Sequence, residues 1–171
     1  MRGTYTLLLE CSKSLHVEFG RAGRARVGRG YYVYTGSALG KGAVSLEGRI
    51  ARHTSVLKRV HWHVDYLTSS TGCITKGVVY VVSRRRLECS INRALESLMG
   101  ARVVLPHLGS SDCSCKSHLI RVGTSATVDR ILRALRDVYS RYGRPLQVVV
   151  SPNSRWDGLL PSASGTRPEK S

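Results

Sequence analysis

Two tyrosines, an arginine, a histidine and a glutamate stand out in this chain, because together they could hydrolyse a phosphodiester. Tyr5 follows Gly3-Thr4, and Tyr34 lies in the run Tyr31-Tyr32-Val33-Tyr34-Thr35-Gly36. Arg49 and His53 are spaced i,i+4, which puts them on one face of a helix. Glu88 comes just after Arg84-Arg85-Arg86. A phenol or an imidazole can move a proton, a guanidinium can neutralise phosphate charge, and a carboxylate can hold a cation. Taken singly, each also has a plain structural role. Tyrosine favours strands, arginine sits readily on a solvated helix face, and a first-turn glutamate complements the helix dipole. Brought together, they could form a phosphate-binding site.

Two further groups could bind metal. In an extended segment His61, His63 and Asp65 would share one face and could hold zinc. On a helix they would diverge, with Trp62, Val64 and Leu67 packing inward and the histidines at the rim. Cys113-Ser114-Cys115, followed by His118, offers three soft or borderline ligands, with His107 as a fourth. A packed loop of buried thiols and a cysteine nucleophile paired with His118 are the alternatives.

These side chains need elements to position them. Residues 4–10 read as a strand centred on Leu7-Leu8-Leu9, and residues 15–19 as a second strand. Ser12-Lys13-Ser14 would turn between them, making a hairpin. Residues 20–30 are rich in Gly and Arg and read as a loop or a mobile hairpin end carrying Arg21, Arg24, Arg26 and Arg29. Residues 30–35 form a strand with Tyr32 and Tyr34 on one face and Tyr31 on the other. A helix over 44–53 turns Leu46 and Ile50 inward. A helical turn over 60–67, a strand over 73–82, a helix over 87–99, a loop over most of 103–115 and a short strand over 118–122 follow. A basic amphipathic helix over 129–142 has Thr127 as N-cap and Gly143-Arg144-Pro145 as its stop. Residues 146–150 read as a strand. From residue 151 on, Pro, Ser, Gly and charge dominate, which predicts a disordered tail.

The chain's 171 residues suffice for one domain with a modest core. A net charge of +16 implies a polyanionic partner, most simply nucleic acid. A highly charged surface, or a base-composition bias that favours arginine over lysine, is the plainer reading of the same number. The Gly-Arg stretch suits backbone phosphates rather than base edges. Five cysteines, an odd count with no signal peptide, argue against a secreted disulfide scaffold. The longest apolar runs are strand-sized, far short of a membrane span. The expectation is a soluble, cytoplasmic protein.

The tyrosine runs, Arg49-Ile50-Ala51-Arg52-His53, His61-Trp62-His63-Val64-Asp65-Tyr66-Leu67, Glu88-Cys89 and the segment from Gly109 to Leu119 carry a resemblance. Over residues 1–122 the chain resembles the GIY-YIG nucleases. It is most similar to a small family with a GIY-YIG-like core that is sometimes joined to an endonuclease III-like enzyme. Thr4 and Thr35 stand where isoleucines are usual. The resemblance implies an α+β fold, with a central antiparallel sheet flanked by helices. It makes 123–150 an extra helix and strand packed on that domain, and 151–171 a tail. It implies a metal-dependent endonuclease or phosphodiesterase acting on DNA, possibly in repair with a repair-protein partner. Tyr5 and Tyr34 would sit side by side, with Tyr5 taking a proton from water. Arg49 would clamp the phosphate. His53 would orient Tyr5 or the nucleophile, or protonate the leaving oxygen. Glu88 would hold one Mg²⁺ or Mn²⁺. Arg21, Arg24, Arg26, Arg29, Lys41, Arg52, His61 and His63 would contact nucleic acid. The alternative is a non-catalytic nucleic-acid-binding module. A zinc-stabilised interaction domain built on Cys113, Cys115 and His118 is a third reading.

Overall fold

The computed structural model describes residues 1–55, 58–98, 100–110, 112–122 and 127–150. The tail expectation for 151–171 lies outside the described residues. The fold is organised around β1 (Gly3–Cys11), whose Leu7, Leu8 and Leu9 are all fully buried. Such an unbroken apolar run belongs to a strand covered on both faces. β1 has neighbours on both edges, both antiparallel: β4 (Gly30–Ala38) and β5 (Cys73–Val82). β7 (Leu119–Arg121) and β6 (Arg102–Val103) extend the sheet beyond β4, and β8 (Leu146–Val149) pairs with β5. The six-stranded order is β6-β7-β4-β1-β5-β8.

Strand alternation sorts β1's side chains between two cores. Tyr5, Leu7 and Leu9 pack with residues of α1 (Leu46–Thr54) and α2 (His63–Thr68). Leu8 packs on the other face, with residues of α3 (Glu88–Leu98) and α4 (Val128–Ser140). The α+β expectation therefore holds, as an antiparallel sheet between two helical layers. β8 joins this sheet with Val148 in the first core, α4 packs into the second, and Thr127 caps α4 through an Arg130 amide at 3.4 Å.

Buried threonines tie the layers together. Thr6 Oγ1 bonds Thr35 Oγ1 at 2.9 Å and the Tyr139 hydroxyl of α4 at 2.8 Å. Thr4 Oγ1 meets Ser37 Oγ at 3.1 Å and accepts from the Leu87 amide at 3.4 Å. A hydroxyl has one donor and two acceptor sites, so these chains satisfy groups that burial would otherwise penalise.

Three local expectations are corrected. β1 does not form a hairpin with β2 (Leu15–Glu18), because β1's edges are already taken by β4 and β5. β2 pairs instead with β3 (Arg24–Val27), inside the stretch expected to be a loop or a mobile hairpin end. There Val27 is buried while Arg24 and Arg26 face out. The first helix starts at Leu46, capped by Ser45, because residues Gly42–Val44 form a tighter turn. Cys11 and Cys73, directly opposite in the β1–β5 register, are joined in a disulfide that the odd cysteine count gave no reason to expect. Among the described residues no helix is long and apolar enough to cross a membrane.

Candidate functional site

α1 delivers the arginine–histidine pair. The Ser45 hydroxyl accepts the Gly48 amide at 3.1 Å and starts the helix. The i,i+4 spacing then points both side chains toward the sheet and the entry to α2. His53 is buried and Arg49 half-buried. α2 supplies the partner. Asp65, three residues past Trp62, reaches back to accept the amides of Trp62 at 2.9 Å and His61 at 3.1 Å. This is the carboxylate half of a capping box. The other carboxylate oxygen lies 2.9 Å from His53 Nδ1.

A buried relay results. Tyr5 Oη lies 2.9 Å from His53 Nε2, and His53 Nδ1 lies 2.9 Å from Asp65 Oδ1. An ionised carboxylate only accepts, so Nδ1 carries the proton and donates it. The neutral ring's Nε2 then accepts from the Tyr5 hydroxyl. Arg52 Nε donates to Asp65 Oδ2 at 3.3 Å. Lys58 stands 3.8 Å from Asp65 Oδ1 and donates to the His53 carbonyl at 3.0 Å and to Thr68 Oγ1 at 2.6 Å.

The protonation states follow the surroundings. Burial alone would raise the Asp65 carboxyl, but its bonds to His53 and to the Trp62 and His61 amides outweigh burial and hold it well below the usual range. Burial lowers His53, against the pull of Asp65, which favours the neutral ring. Burial lowers the Lys58 ammonium to about 8. Burial pushes the Tyr5 phenol up to about 12, while the Arg49 guanidinium pulls the other way. Tyr34 is raised further, by burial and then by the neighbouring Tyr5.

Tyr5 and Tyr34 lie on adjacent strands, offset along the register: Tyr5 faces Gly36, and Tyr34 faces Leu7. Both rings approach His53, with centroid separations of 5.7 and 6.3 Å. The Tyr5 ring crosses over Gly36, where a Cβ would fall 2.8 Å from Oη. The Arg49 guanidinium lies 3.8 Å from the Trp62 ring centre, a cation–π contact. Its Nε is buried and makes no hydrogen bond among the described residues.

Glu88 begins α3 and is nearly buried. The expected Mg²⁺ or Mn²⁺ at Glu88 is corrected here. One Arg86 nitrogen lies 2.8 Å from Glu88 Oε1 and 2.7 Å from Asp112 Oδ2, bridging the two carboxylates. A hard divalent ion takes several oxygen ligands, and at Glu88 a guanidinium already supplies the positive charge. Among the described residues, the only group of three or more potential ligands is Cys89, Cys113, Cys115 and His118. Its ligand atoms all lie within 4.8 Å of one another, and sulfur with imidazole is a zinc-type donor set. Zinc thus fits better than the sequence suggested, and Cys89 from α3 takes the fourth place proposed for His107.

The His61–His63–Asp65 trio does not converge. His61 is exposed and lies edge-on to Trp62, His63 opens α2, and Asp65 turns inward to His53. Of the expected nucleic-acid contacts, Arg21, Arg24, Arg26, Arg29 and Lys41 are exposed. Arg24 pairs with Glu18 at 3.3 Å. Arg52 is engaged with Asp65 and the Arg59 carbonyl, so it supports the relay rather than standing free.

Sequence reasoning missed Asp65 as the histidine's partner, Lys58 beside it, and Cys89 as a member of the cysteine–histidine cluster. An acidic residue three positions into a short helix signalled Asp65. Cys89 had no local signal, because its partners lie more than twenty residues away.

A family model described as a domain of unknown function, DUF123, matches residues 4–140 and so extends through α4. No curated protein and no solved structure matches the chain.

Proposed function

This chain belongs to the DUF123 family, and we propose that it binds nucleic acid, DNA foremost, and hydrolyses a phosphodiester bond in it. The observation that carries this reading is the Tyr5–His53–Asp65 relay beside the Arg49 guanidinium. A water attacking phosphorus gives its proton to Tyr5 Oη, while the phenol's own proton passes to His53 Nε2. Asp65 stabilises the imidazolium that forms and fixes the ring's tautomer, as the carboxylate of a catalytic triad does. Arg49 neutralises the charge that develops on the phosphate oxygens. The leaving oxygen takes its proton from solvent, and the His53 imidazolium releases one to solvent, so the protons balance and the neutral ring is restored. The exposed arginines around β3 and the net charge of +16 supply the attraction to the polyanion. Cytoplasmic nucleic acid is the natural setting for this reading.

One observation favours a second reading, a binding module that does not cleave. Tyr5 is completely buried and Tyr34 nearly so. Catalysis therefore requires a rearrangement that brings the substrate to the Tyr5 hydroxyl.

The test is cleavage of labelled duplex, branched, flapped and single-stranded DNA by wild type and Tyr5→Phe, with binding measured alongside. The reading expects a rate loss of about 10²-fold or more at unchanged affinity. Equal rates would remove Tyr5 from the chemistry. Salt-sensitive binding without cleavage of any substrate would establish the binding module.

A further inference from the structure

We infer that Cys89, Cys113, Cys115 and His118 form a tetrahedral site for one zinc-class ion, which clamps the start of α3 to the loop before β7. The inference does not depend on the hydrolytic reading.

Geometry comes first. A tetrahedral ion with Zn–S of about 2.3 Å and Zn–N of about 2.0 Å holds its ligand atoms roughly 3.5–3.8 Å apart. Here all four lie within 4.8 Å of one another, and Cys113 Sγ is 3.4 Å from His118 Nε2. Only a small contraction closes the shell. The imidazole meets the sulfurs through Nε2, one of the two nitrogens able to ligate. Four protein ligands and no free position describe a structural site rather than a catalytic one.

The surroundings hold the four groups in place without the ion. The His107 amide donates to the Lys116 carbonyl at 2.7 Å, and the His118 amide to the Leu108 carbonyl at 2.8 Å, folding the loop back on itself. Asn92 of α3 donates to the Ser117 carbonyl at 2.8 Å. Arg93 donates to Ser114 Oγ at 3.0 Å, between the two loop cysteines in sequence, and Lys116 pairs with Glu96 at 3.3 Å. Arg86 holds Asp112 at 2.7 Å. α3 and the loop are thus joined on both sides of the thiols. Three thiolates and a divalent cation leave one net negative charge, and Arg86 and Arg93 stand beside it.

The ion's position has a consequence for the tyrosine cluster. Cys89 directly follows Glu88. The His118 carbonyl accepts the Thr35 amide at 3.1 Å, next to Tyr34. Gly109 of the same loop is packed so closely that a Cβ there would lie 3.0 Å from the Tyr34 ring and 3.3 Å from His118 Cβ. Its φ of +75° is one that glycine adopts without strain. The clamp therefore fixes both Glu88 and Tyr34 relative to each other.

The test uses the full chain, purified in reductant without chelator. Elemental analysis is expected to find about one zinc per chain. Metal-free protein titrated with Co²⁺ is expected to develop thiolate charge-transfer bands and an intense tetrahedral d–d envelope, saturating at one equivalent and displaced by Zn²⁺. Cys89→Ser and Cys115→Ser are each expected to weaken binding at least tenfold. Cys73→Ser, outside the cluster, is expected to leave the spectrum unchanged. Wild type without thiolate-to-cobalt bands would overturn the site without reliance on any variant. So would bands that persist unaltered in Cys89→Ser. Hydrogen exchange tests the clamp: the Thr35 and His118 amides should slow on adding Zn²⁺. Binding that leaves both unchanged would overturn the clamp.

Discussion

Asp65→Asn is the substitution that most sharply tests the relay. In the wild type one carboxylate oxygen accepts from His53 and faces Lys58, and the other accepts from Arg52 and the amides of His61 and Trp62. An asparagine has one acceptor oxygen, which the three-donor side claims. Its amide then points at His53 Nδ1 and Lys58. To avoid a donor–donor clash the imidazole changes tautomer, so Nε2 carries the hydrogen and no longer accepts from Tyr5. The Asp65 and Lys58 side chains are only 0% and 3% exposed, so the ammonium loses its counterion in a place water barely reaches. Removing one partner of a buried ion pair costs about 3–5 kcal/mol. At roughly 2–4 °C per kcal/mol for a chain of this size, melting should fall by about 10 °C. The assays are thermal and denaturant unfolding, with ¹⁵N NMR of the His53 ring at neutral pH. The wild type should show protonated Nδ1 and bare Nε2, and the variant the reverse. A melting shift within about 2 °C, with an unchanged ring tautomer, would refute this account of the network. Neither measurement depends on what the protein acts upon.

Gly36→Ala should push the Tyr5 phenol off His53, because the new Cβ would lie 2.8 Å from Oη and 2.9 Å from Cζ. Overpacking of this kind costs about 1–3 kcal/mol, read by denaturant unfolding, and any cleavage should fall with it. The pH dependence of stability carries a sign. Burial depresses His53, so its contribution is full above its ordinary value of about 6.5 and is lost as pH falls toward the lower folded value. Asp65 acts in the same direction, from about 3.9 downward. Denaturation midpoints should therefore drop on acidifying below about pH 6.5, and His53→Gln should remove the first part of that drop; a flat wild-type profile would contradict it. Replacing Arg21, Arg24, Arg26 and Arg29 with glutamine should lower the salt slope of DNA binding by about 4 and weaken all sequences alike. Loss confined to one DNA sequence would indicate base readout instead.

Much of the fold was legible because its signals are local. Leu7-Leu8-Leu9 marked the buried centre of a strand, the tyrosine alternation set Tyr32 and Tyr34 on one side, and Ile131, Leu132, Leu135 and Val138 gave α4 its inward stripe. The i,i+4 spacing put Arg49 and His53 on one helix face, since helical geometry fixes that relation without reference to the rest of the chain. Strand partnership was less legible. β1 bypasses the nearby β2 for β4 and β5, because pairing depends on which edges other segments leave free.

What the sequence determined by itself was the inventory and the local directions: which side chains could carry protons or bind phosphate, which faces they share, and how strongly the chain is charged. The tertiary structure decided the partners. Asp65, read from the sequence as part of a metal trio, became the histidine's anchor because α2 docks beside α1. Glu88, read as a cation ligand, received Arg86 instead. Cys89 joined Cys113, Cys115 and His118 because α3 lies against the loop before β7. Hydrogen bonds, ion pairs and coordination act over a few ångströms, and only folding brings residues distant along the chain within that range.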